Sequence, residues 1–443
     1  MIVHTPTTEA QACAVVKSVI DSAVPLTLRG GGTRSGLGRP AQAASTLSSV
    51  GLTGITLYEP AEMVIAARAG TPLALVQETL AERGQMLPFE PMDHRALYGS
   101  EGEPTIGAIA ACNISGPRRI NAGAARDSLI GVRLVNGRGE MIKNGGRVMK
   151  NVTGLDLVKL LSGCHGTLGF LTEVTFRVLP RPERIVTLQW RGLSDEVGVA
   201  LLAKALGSPF EPMAAAHLPA RIAGEEALTL LRLENFSDSI DYRAGELALL
   251  LGDYGTPDRL EGKAPTALWS DIRDAAFFAG SDDAVWRLSL APTNGPTAAA
   301  AIRRMIPAAR CFYDWGGGLV WLAVPAYGDA GAAAIRAALQ PRQAARRPCH
   351  AGPRVRCDPR RRRRVPAAGR AADAGDRRHQ EKLRSRRHLR ARPDLCGDLM
   401  TLADTLSAET RDGRASWASN RLGPVALVFV AALLIAGVAA ILL

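Results

Sequence analysis

Two glycine clusters hold the residues whose types and spacing suit chemistry on an anion. The first, Arg29 to Gly38, reads RGGGTRSGLG. Consecutive glycines let backbone N–H groups converge with no side chain in the way, forming a concave nest for phosphate oxygens. The order is not the GxGxxG of a Rossmann turn, and no Gly-Lys-Ser/Thr follows to make a Walker loop. A flexible surface turn is the plainer alternative for three glycines taken alone. The second cluster runs PTIGAIAACNISGPRRINAGAARDSLIGVRLVNGRGE and continues as GGRVMKNVTGLDLVKLLSGCHGTLGFLTEVTFRV. Metal chemistry has no such footing. The seven cysteines, at 13, 112, 164, 311, 349, 357 and 396, form no CxxC pair and have no His beside them at ligand spacing, so no metal site is expected. Their scatter, with no signal peptide at the N-terminus, implies a reducing compartment and free thiols.

Strands and short helices must position these clusters. LTLRGG is an apolar strand running into a glycine turn, and EMVIAARAGTP is another. Thr71 is expected to cap a helix over PLALVQETLAER, with Pro72 in its first turn and Gly84 past its end. GVRLVNGRGEMIKNG reads as a hairpin about Asn136-Gly137, and GFLTEVTFRVLP as a strand stopped by Pro180. Together they predict an α+β domain with its glycines in the turns. Residues 183–339 alternate strands (RIVTLQWRGL, ALTLLRLEN, DAVWRLSLAPT, ARCFYDWGGGLVWLAVP) with the helices EVGVALLAKALG and DAGAAAIRAALQ. That pattern suits an open sheet with helices on one face, and Gly316 to Gly318 read as a hairpin turn.

From about residue 5 to 182 the phrases RGGGTRSGLG, SGPRR, RDSLIGVRLVNGRGE, KNVTGLD and GTLGFLTEV resemble flavoproteins of the vanillyl-alcohol oxidase and para-cresol methylhydroxylase type. Within that superfamily the wording is similar to the smaller of the FAD-binding subunits of bacterial glycolate oxidases. The resemblance implies a two-subdomain FAD-binding domain over 1–182, followed by a smaller α+β cap domain over 183–339. It implies that Arg29, Gly30, Gly31, Gly32 and Thr33 hold the FAD pyrophosphate by backbone donors, with Ser35 adding a hydroxyl. Thr105, Ile106, Gly107, Ala108, Ser115 and Gly116 would line the flavin from the other subdomain. Asp127 would sit near the pyrophosphate or ribose. Gly166, Thr167, Leu168 and Gly169, with Phe170 and Glu173 after them, would pass the adenine end by main-chain contacts. Relatives with covalently bound flavin carry His where this chain has Thr33, so noncovalent FAD is expected. Leu155 stands where the family has Tyr, which loosens the expected packing there.

A flavin oxidising a 2-hydroxy acid needs a cation for the carboxylate and a base or acceptor for the hydroxyl. Arg118 and Arg119 follow the Ser-Gly expected to face the flavin and are the carboxylate candidates, with a partner contact or a solvated turn as the alternative. His94, beside Asp93, is the acid–base candidate; His165 lies in the adenine-side loop, where a structural role fits better. The resemblance further implies a larger flavoprotein subunit and an iron–sulfur subunit as partners, and a small 2-hydroxy acid such as glycolate as substrate. A noncatalytic electron-relay or assembly subunit and an enolpyruvyl reductase of the same fold remain the alternatives.

The charge of the chain is concentrated in one segment. Residues 341–400 carry 18 Arg and one Lys against six Asp or Glu, a surplus of 13 when the whole chain stands at +12. With no Phe, Tyr or Trp, this segment cannot bury enough apolar surface to offset ordering, so 340–400 is expected to be disordered. The family's usual ending is missing from it, and its Arg/Pro/Ala composition matches a GC-rich frame read out of register. A frameshift near Gln340 is therefore expected. Nucleic-acid binding is not expected, because no aromatics interleave the arginines. After a linker at 401–423, residues 424–443 end in 19 uncharged apolar residues, enough for one membrane-spanning helix. Arg411, Arg414 and Arg421 before it favour a cytoplasmic N-terminal side, and hence a cytoplasmic protein held at the inner face of the membrane.

Overall fold

Apolar runs of up to eight residues, punctuated by glycine, produce the strands of the fold. A computed structural model describes residues 2–37, 42–146 and 154–339, with the backbone of the two-residue strand Pro353–Arg354. The chain divides into two compact units, Met1–Ala374 and Gly375–Leu443, and the second contains no described residue. The expected linker and apolar C-terminal run, and the frameshift reading, lie outside the described residues. The exception is Pro353–Arg354, which pairs with Ala284–Ser289 in a segment expected to form no strand. Among the described residues no helix is long and apolar enough to cross a membrane.

Strands up to Pro180 build the first part of the fold. Leu26–Arg29, Ser45–Ser48 and Ile2–His4 form a parallel three-stranded sheet. The helix Glu9–Asp21 seals it with Ala12 and Val16 packed among Leu47, Leu52, Val135 and Phe170. Thr8 and Gln11 make a capping box at its start. A five-stranded antiparallel sheet runs in the order Ile55–Glu59, Val64–Arg68, Phe170–Arg177, Leu129–Val135, Met141–Gly145. Helices Leu73–Ala81 and Ile106–Cys112 pack on it through Val76, Leu80, Ile106 and Ile109.

Two turn expectations change in detail. Thr71 does not cap its helix; its hydroxyl donates to Arg68 O and accepts from Gly54 N, tying two loops together, and Pro72 occupies the cap position. The hairpin after Val135 closes over five residues, where Asn136 Oδ1 accepts from Arg138 N and Glu140 N. The left-handed position is Gly139, at φ +71, and not Gly137.

Strands from Arg184 onward build one eight-stranded antiparallel sheet. Its order is Asp258–Leu260, Arg184–Arg191, Leu228–Asn235, Ala214–Leu218, Arg310–Asp314, Leu319–Val324, Ala284–Ser289, Pro353–Arg354. Helices Asp195–Leu206, Ser237–Leu250, Gly295–Met305 and Ala332–Leu339 contribute to the cores on one face. The other face is not bare. Lys263–Asp274 adds Trp269 and Ile272 there, and Met92, Leu97 and Ile114 of the first part pack beside them. Gly316 and Gly317 lie in the turn between antiparallel Arg310–Asp314 and Leu319–Val324.

Candidate functional site

Close backbone approach explains the first glycine cluster. A Cβ on Gly31 would lie 1.7 Å from Glu103 O, and one on Gly102 would lie 1.7 Å from Gly31 O. The segments 29–33 and 102–105 therefore run backbone against backbone. A Cβ on Gly30 would come within 2.5 Å of Thr105 Oγ1 and 3.0 Å of the Ala108 methyl. Gly31, Gly32 and Thr33 donate no backbone hydrogen bond among the described residues, and Thr105 Oγ1 is buried without a partner. Free donors beside an orphaned hydroxyl, in a cleft only glycine permits, fit an anionic diphosphate. The loop holds its shape through Ser35 Oγ donating to Gly32 O and Ser100 Oγ donating to Thr33 O. Ser35 is exposed and Thr33 buried; a threonine offers no ring nitrogen for a covalent flavin link.

Helix Ile106–Cys112 is pinned at its start by Ile106 N donating to Thr71 O and Gly107 N donating to Ala69 O. Only glycine fits at 107, because a Cβ there would meet the Ala69 methyl at 2.5 Å. Beyond its end, the loop 163–169 runs alongside, with His165 N donating to Ala111 O, and Gly166 lies against Leu28 at the base of the first loop. Thr167 folds its hydroxyl back to Cys164 O, and Leu168 packs at the rim of the five-stranded core. Gly169 packs so closely on Leu134 that a Cβ would sit 2.6 Å from its side chain. Three predicted segments are thus brought together. Phe170 is buried in the small N-terminal core, and Glu173 lies in its strand between Arg68 and Arg133. Asp127 accepts from Ala124 N, and Ser115 Oγ accepts from Ala125 N, so each holds a local turn. Leu155 is exposed.

The side chains expected to act on substrate fall differently. Arg118 is buried and committed: its Nη2 lies 2.7 Å from Glu234 Oε2 across to the eight-stranded sheet, which removes it as a carboxylate ligand. Glu234 also meets Arg232 Nε at 2.8 Å, and Arg232 grips Glu90 with both terminal nitrogens, at 3.1 and 2.7 Å. Arg119 is placed otherwise. Its guanidinium lies 4.8 Å from the centre of the Trp315 ring, and Arg287, from strand Ala284–Ser289, lies at the same distance. Trp315 Nε1 donates to Gly116 O at 3.1 Å, which ties the predicted Ser115-Gly116 segment to the cap. Trp315 holds a left-handed backbone, φ +53, a strained state for a bulky residue that such contacts must maintain.

Two titratable groups of these loops are shifted. Asp314 is 2% exposed; burial, with a smaller contribution from Glu90, raises its carboxyl to about 7 against the opposing pull of the Trp315 N–H and nearby arginines. His94 is buried, and burial with the Arg34 charge depresses it to about 3. Arg34 Nε lies 3.2 Å from His94 Nδ1. A guanidinium can only donate, so Nδ1 accepts from Arg34 and the proton of the neutral ring sits on Nε2, which leaves Met92 O, 3.3 Å from the same nitrogen, without a proton from the ring. Asp93 does not assist, since Arg95 takes its carboxylate at 2.9 Å. Sequence reasoning missed Arg34, Arg287, Asp314 and Trp315. The signal present was the pair of Arg residues flanking Gly-Gly-Gly-Thr and the Asp-Trp before the glycine hairpin.

Comparison with known proteins places this geometry. A model of the FAD binding domain matches residues 1–145. Glycolate oxidase subunit GlcE of Escherichia coli is 35% identical over 308 residues, 69% of this chain and 78% of that protein. A D-lactate dehydrogenase of Archaeoglobus fulgidus is 27% identical over 267 residues, spanning 57% of each. Glycolate oxidase subunit GlcD of Bacillus subtilis is 32% identical over 149 residues, 34% of this chain and 29% of that one. Among solved structures, p-cresol methylhydroxylase with substrate bound superimposes with a TM-score of 0.58 at 12% identity, over 76% of this chain and 78% of that one. An alkyldihydroxyacetonephosphate synthase gives the same TM-score at 14% identity, over 76% and 71%. At such identities the two structures establish the fold.

Proposed function

We propose, because this chain belongs to the family of FAD-binding glycolate oxidase subunits typified by GlcE, that it oxidises glycolate held between its two glycine clusters and the cap sheet. The chain is an FAD-dependent oxidoreductase subunit that acts on 2-hydroxy acids. The observation that carries the finer reading is the convergence of Arg119 and Arg287, from different parts of the fold, on Trp315 beside Gly116.

Thr105 and the backbone donors of Gly31, Gly32 and Thr33 would hold the cofactor, and bound FAD supplies the acceptor for the hydride on the hydroxyl-bearing carbon. Two guanidinium groups against one indole give a flat, rigid cationic edge suited to a carboxylate. Asp314 holds its proton at Oδ2, because Oδ1 accepts from Trp315 N at 2.7 Å. When ionised, above about 7, it can take the proton of the substrate hydroxyl. His94 stays neutral throughout and offers Nε2–H as a donor. The relatives named as glycolate oxidase subunits support a multi-subunit assembly, for which this reading assigns a larger flavoprotein and an iron–sulfur subunit; with no cysteine spacing here suited to a cluster, that cluster would sit on the partner. The arginines ahead of the apolar C-terminal run support a place at the cytoplasmic face of the membrane.

The test is anaerobic addition of glycolate, and separately D-lactate, to the purified full chain with its visible spectrum recorded. Bleaching of the flavin by glycolate is expected. Replacing Arg287 by Met should raise KM for glycolate by about 10- to 100-fold while flavin content stays the same, the loss expected for a charge-assisted carboxylate contact. Unchanged KM would remove Arg287 from the substrate site. No bleaching, with FAD bound, would leave the electron-relay reading in its place.

A further inference from the structure

We infer that Arg34 supplies the positive charge that holds the diphosphate of FAD, completing an anion site whose other members are backbone donors. The buried guanidinium groups that join the two parts of the fold each have a carboxylate: Arg118 has Glu234, Arg232 has Glu90 and Glu234, and Arg273 has Asp274. Arg34 has none among the described residues. Its Nε donates to the uncharged His94 ring, and the Cys112 thiol lies beside it. Its Nη2 is buried without a partner among the described residues. The nearest carboxylate felt by it, Asp93, is already held by Arg95 at 2.9 Å.

A cation in this state is costly, and burial accordingly depresses its affinity for its own proton. The sequence places it one residue after Thr33, at the exit of the loop whose N–H groups are free, and its charge also reaches His165 in the third converging segment. An anion lying among those three segments would therefore neutralise it. The diphosphate is the part of FAD with that charge, whereas the isoalloxazine ring and the ribityl chain carry none in the oxidised cofactor. His94 then has a positioning role: its Nδ1 lone pair holds Arg34 Nε, and a protonated ring could not accept that bond.

The inference concerns cofactor binding and stands apart from the choice of substrate. The experiment uses the full chain stripped of flavin and titrated calorimetrically with FAD and with riboflavin, in wild type, Arg34→Gln and Arg34→Lys. Arg34→Gln should weaken FAD about 10- to 100-fold and leave riboflavin within about twofold. Arg34→Lys should recover most of the FAD affinity. An unchanged FAD affinity, an equal loss for riboflavin, or a Lys variant as weak as the Gln variant would each overturn the proposal. Thermal melting gives a second, independent sign. Without FAD the Gln variant should melt at or above the wild-type temperature, because an uncompensated buried charge has been removed; with saturating FAD the order should reverse. A Gln variant that melts lower in both states would make Arg34 a structural residue and sink the idea.

Discussion

At the scale of the residue, the site is governed by which charges burial permits. His94 and Asp314 are shifted in opposite directions by the same cause, since desolvation disfavours the charged form of each: the imidazolium of one, the carboxylate of the other. Their linkage to stability follows. For Asp314 the folded value, about 7, lies above the unfolded carboxylate value, so its contribution is fully present at low pH and is lost as pH rises from the ordinary carboxylate range through about 7. For His94 the folded value, about 3, lies below the unfolded one, so its contribution is present above the ordinary imidazole range and is lost as pH falls toward 3. The two trends overlap and oppose, so the contributions of these two groups largely cancel where their ranges overlap. Asp314→Asn keeps an acceptor for Trp315 N and removes one of them. Relative to wild type it should gain on the order of 3 kcal/mol between pH 4 and pH 8 in urea unfolding. A difference between the two proteins that does not change with pH would show that Asp314 titrates normally. Arg118 teaches the complementary point. Its place after Ser-Gly made it a carboxylate candidate, but its partner Glu234 stands 116 positions away, and no local pattern announces such a pairing.

At the scale of the element, the glycines were legible in sequence but their reason was only half visible. Clusters of glycine announce turns and anion nests; they do not say that two segments will touch backbone to backbone. Gly31→Ala would put a methyl 1.7 Å from Glu103 O, which is main chain and cannot swing aside. Purified Gly31→Ala should therefore retain little flavin and lose upwards of about 2 kcal/mol of stability, near the upper end for overpacking. Gly137→Ala is the control, since nothing lies within 4 Å of its Cβ and its φ is not left-handed; it should stay within about 0.5 kcal/mol of wild type with full flavin content. Flavin content measured on both separates a cradle requirement from a general intolerance of glycine replacement, and a flavin-replete Gly31→Ala would refute the close approach. The strands legible in sequence were those rich in Val, Ile, Leu and aromatics, such as Leu319–Val324. Strand Ala214–Leu218 was not, because three alanines carry no strand propensity. Its neighbours, Leu228–Asn235 and Arg310–Asp314, impose the extended form by pairing on both sides. The helix Lys263–Asp274 on the site-facing side of the sheet was missed although its amphipathicity is strong, because Gly262 before it and Pro265 in its first turn read as loop signals.

At the scale of the whole described fold, the cap sheet meets the flavin-binding part through a run of buried charges rather than through apolar packing alone. Glu90, Arg232, Glu234 and Arg118 alternate in sign, with Glu90 and Arg118 on one side of the boundary and Arg232 and Glu234 on the other. Arg232 also lies 4.9 Å from the centre of the Trp269 ring, so its charge is held between carboxylates and an aromatic face. Alternation matters because each interior charge then has a neighbour of opposite sign, and the desolvation of the whole row is shared. Such a row is exacting about register. A cap displaced by a few ångströms would leave several ions buried and alone, whereas leucines would tolerate the slip. The arrangement thereby fixes Arg287 and Trp315, which the cap contributes, against Arg119 and Gly116, which it does not. Glu234→Gln leaves Arg118 without its counter-ion and should destabilise the protein by about 3 to 5 kcal/mol, the range for breaking a buried pair from one side. Arg118→Met should lose a similar amount. The double variant Arg118→Met/Glu234→Gln should fall short of the sum of the single losses by at least about 1 kcal/mol, because Arg118 is then not stranded and Arg232 keeps Glu90. If urea unfolding gives strictly additive losses, the two residues do not act as a pair and the row does not set the register. If the losses couple as expected and KM for glycolate rises in both single variants while recovering in the double, the charges are what aligns the cap over the flavin-binding loops.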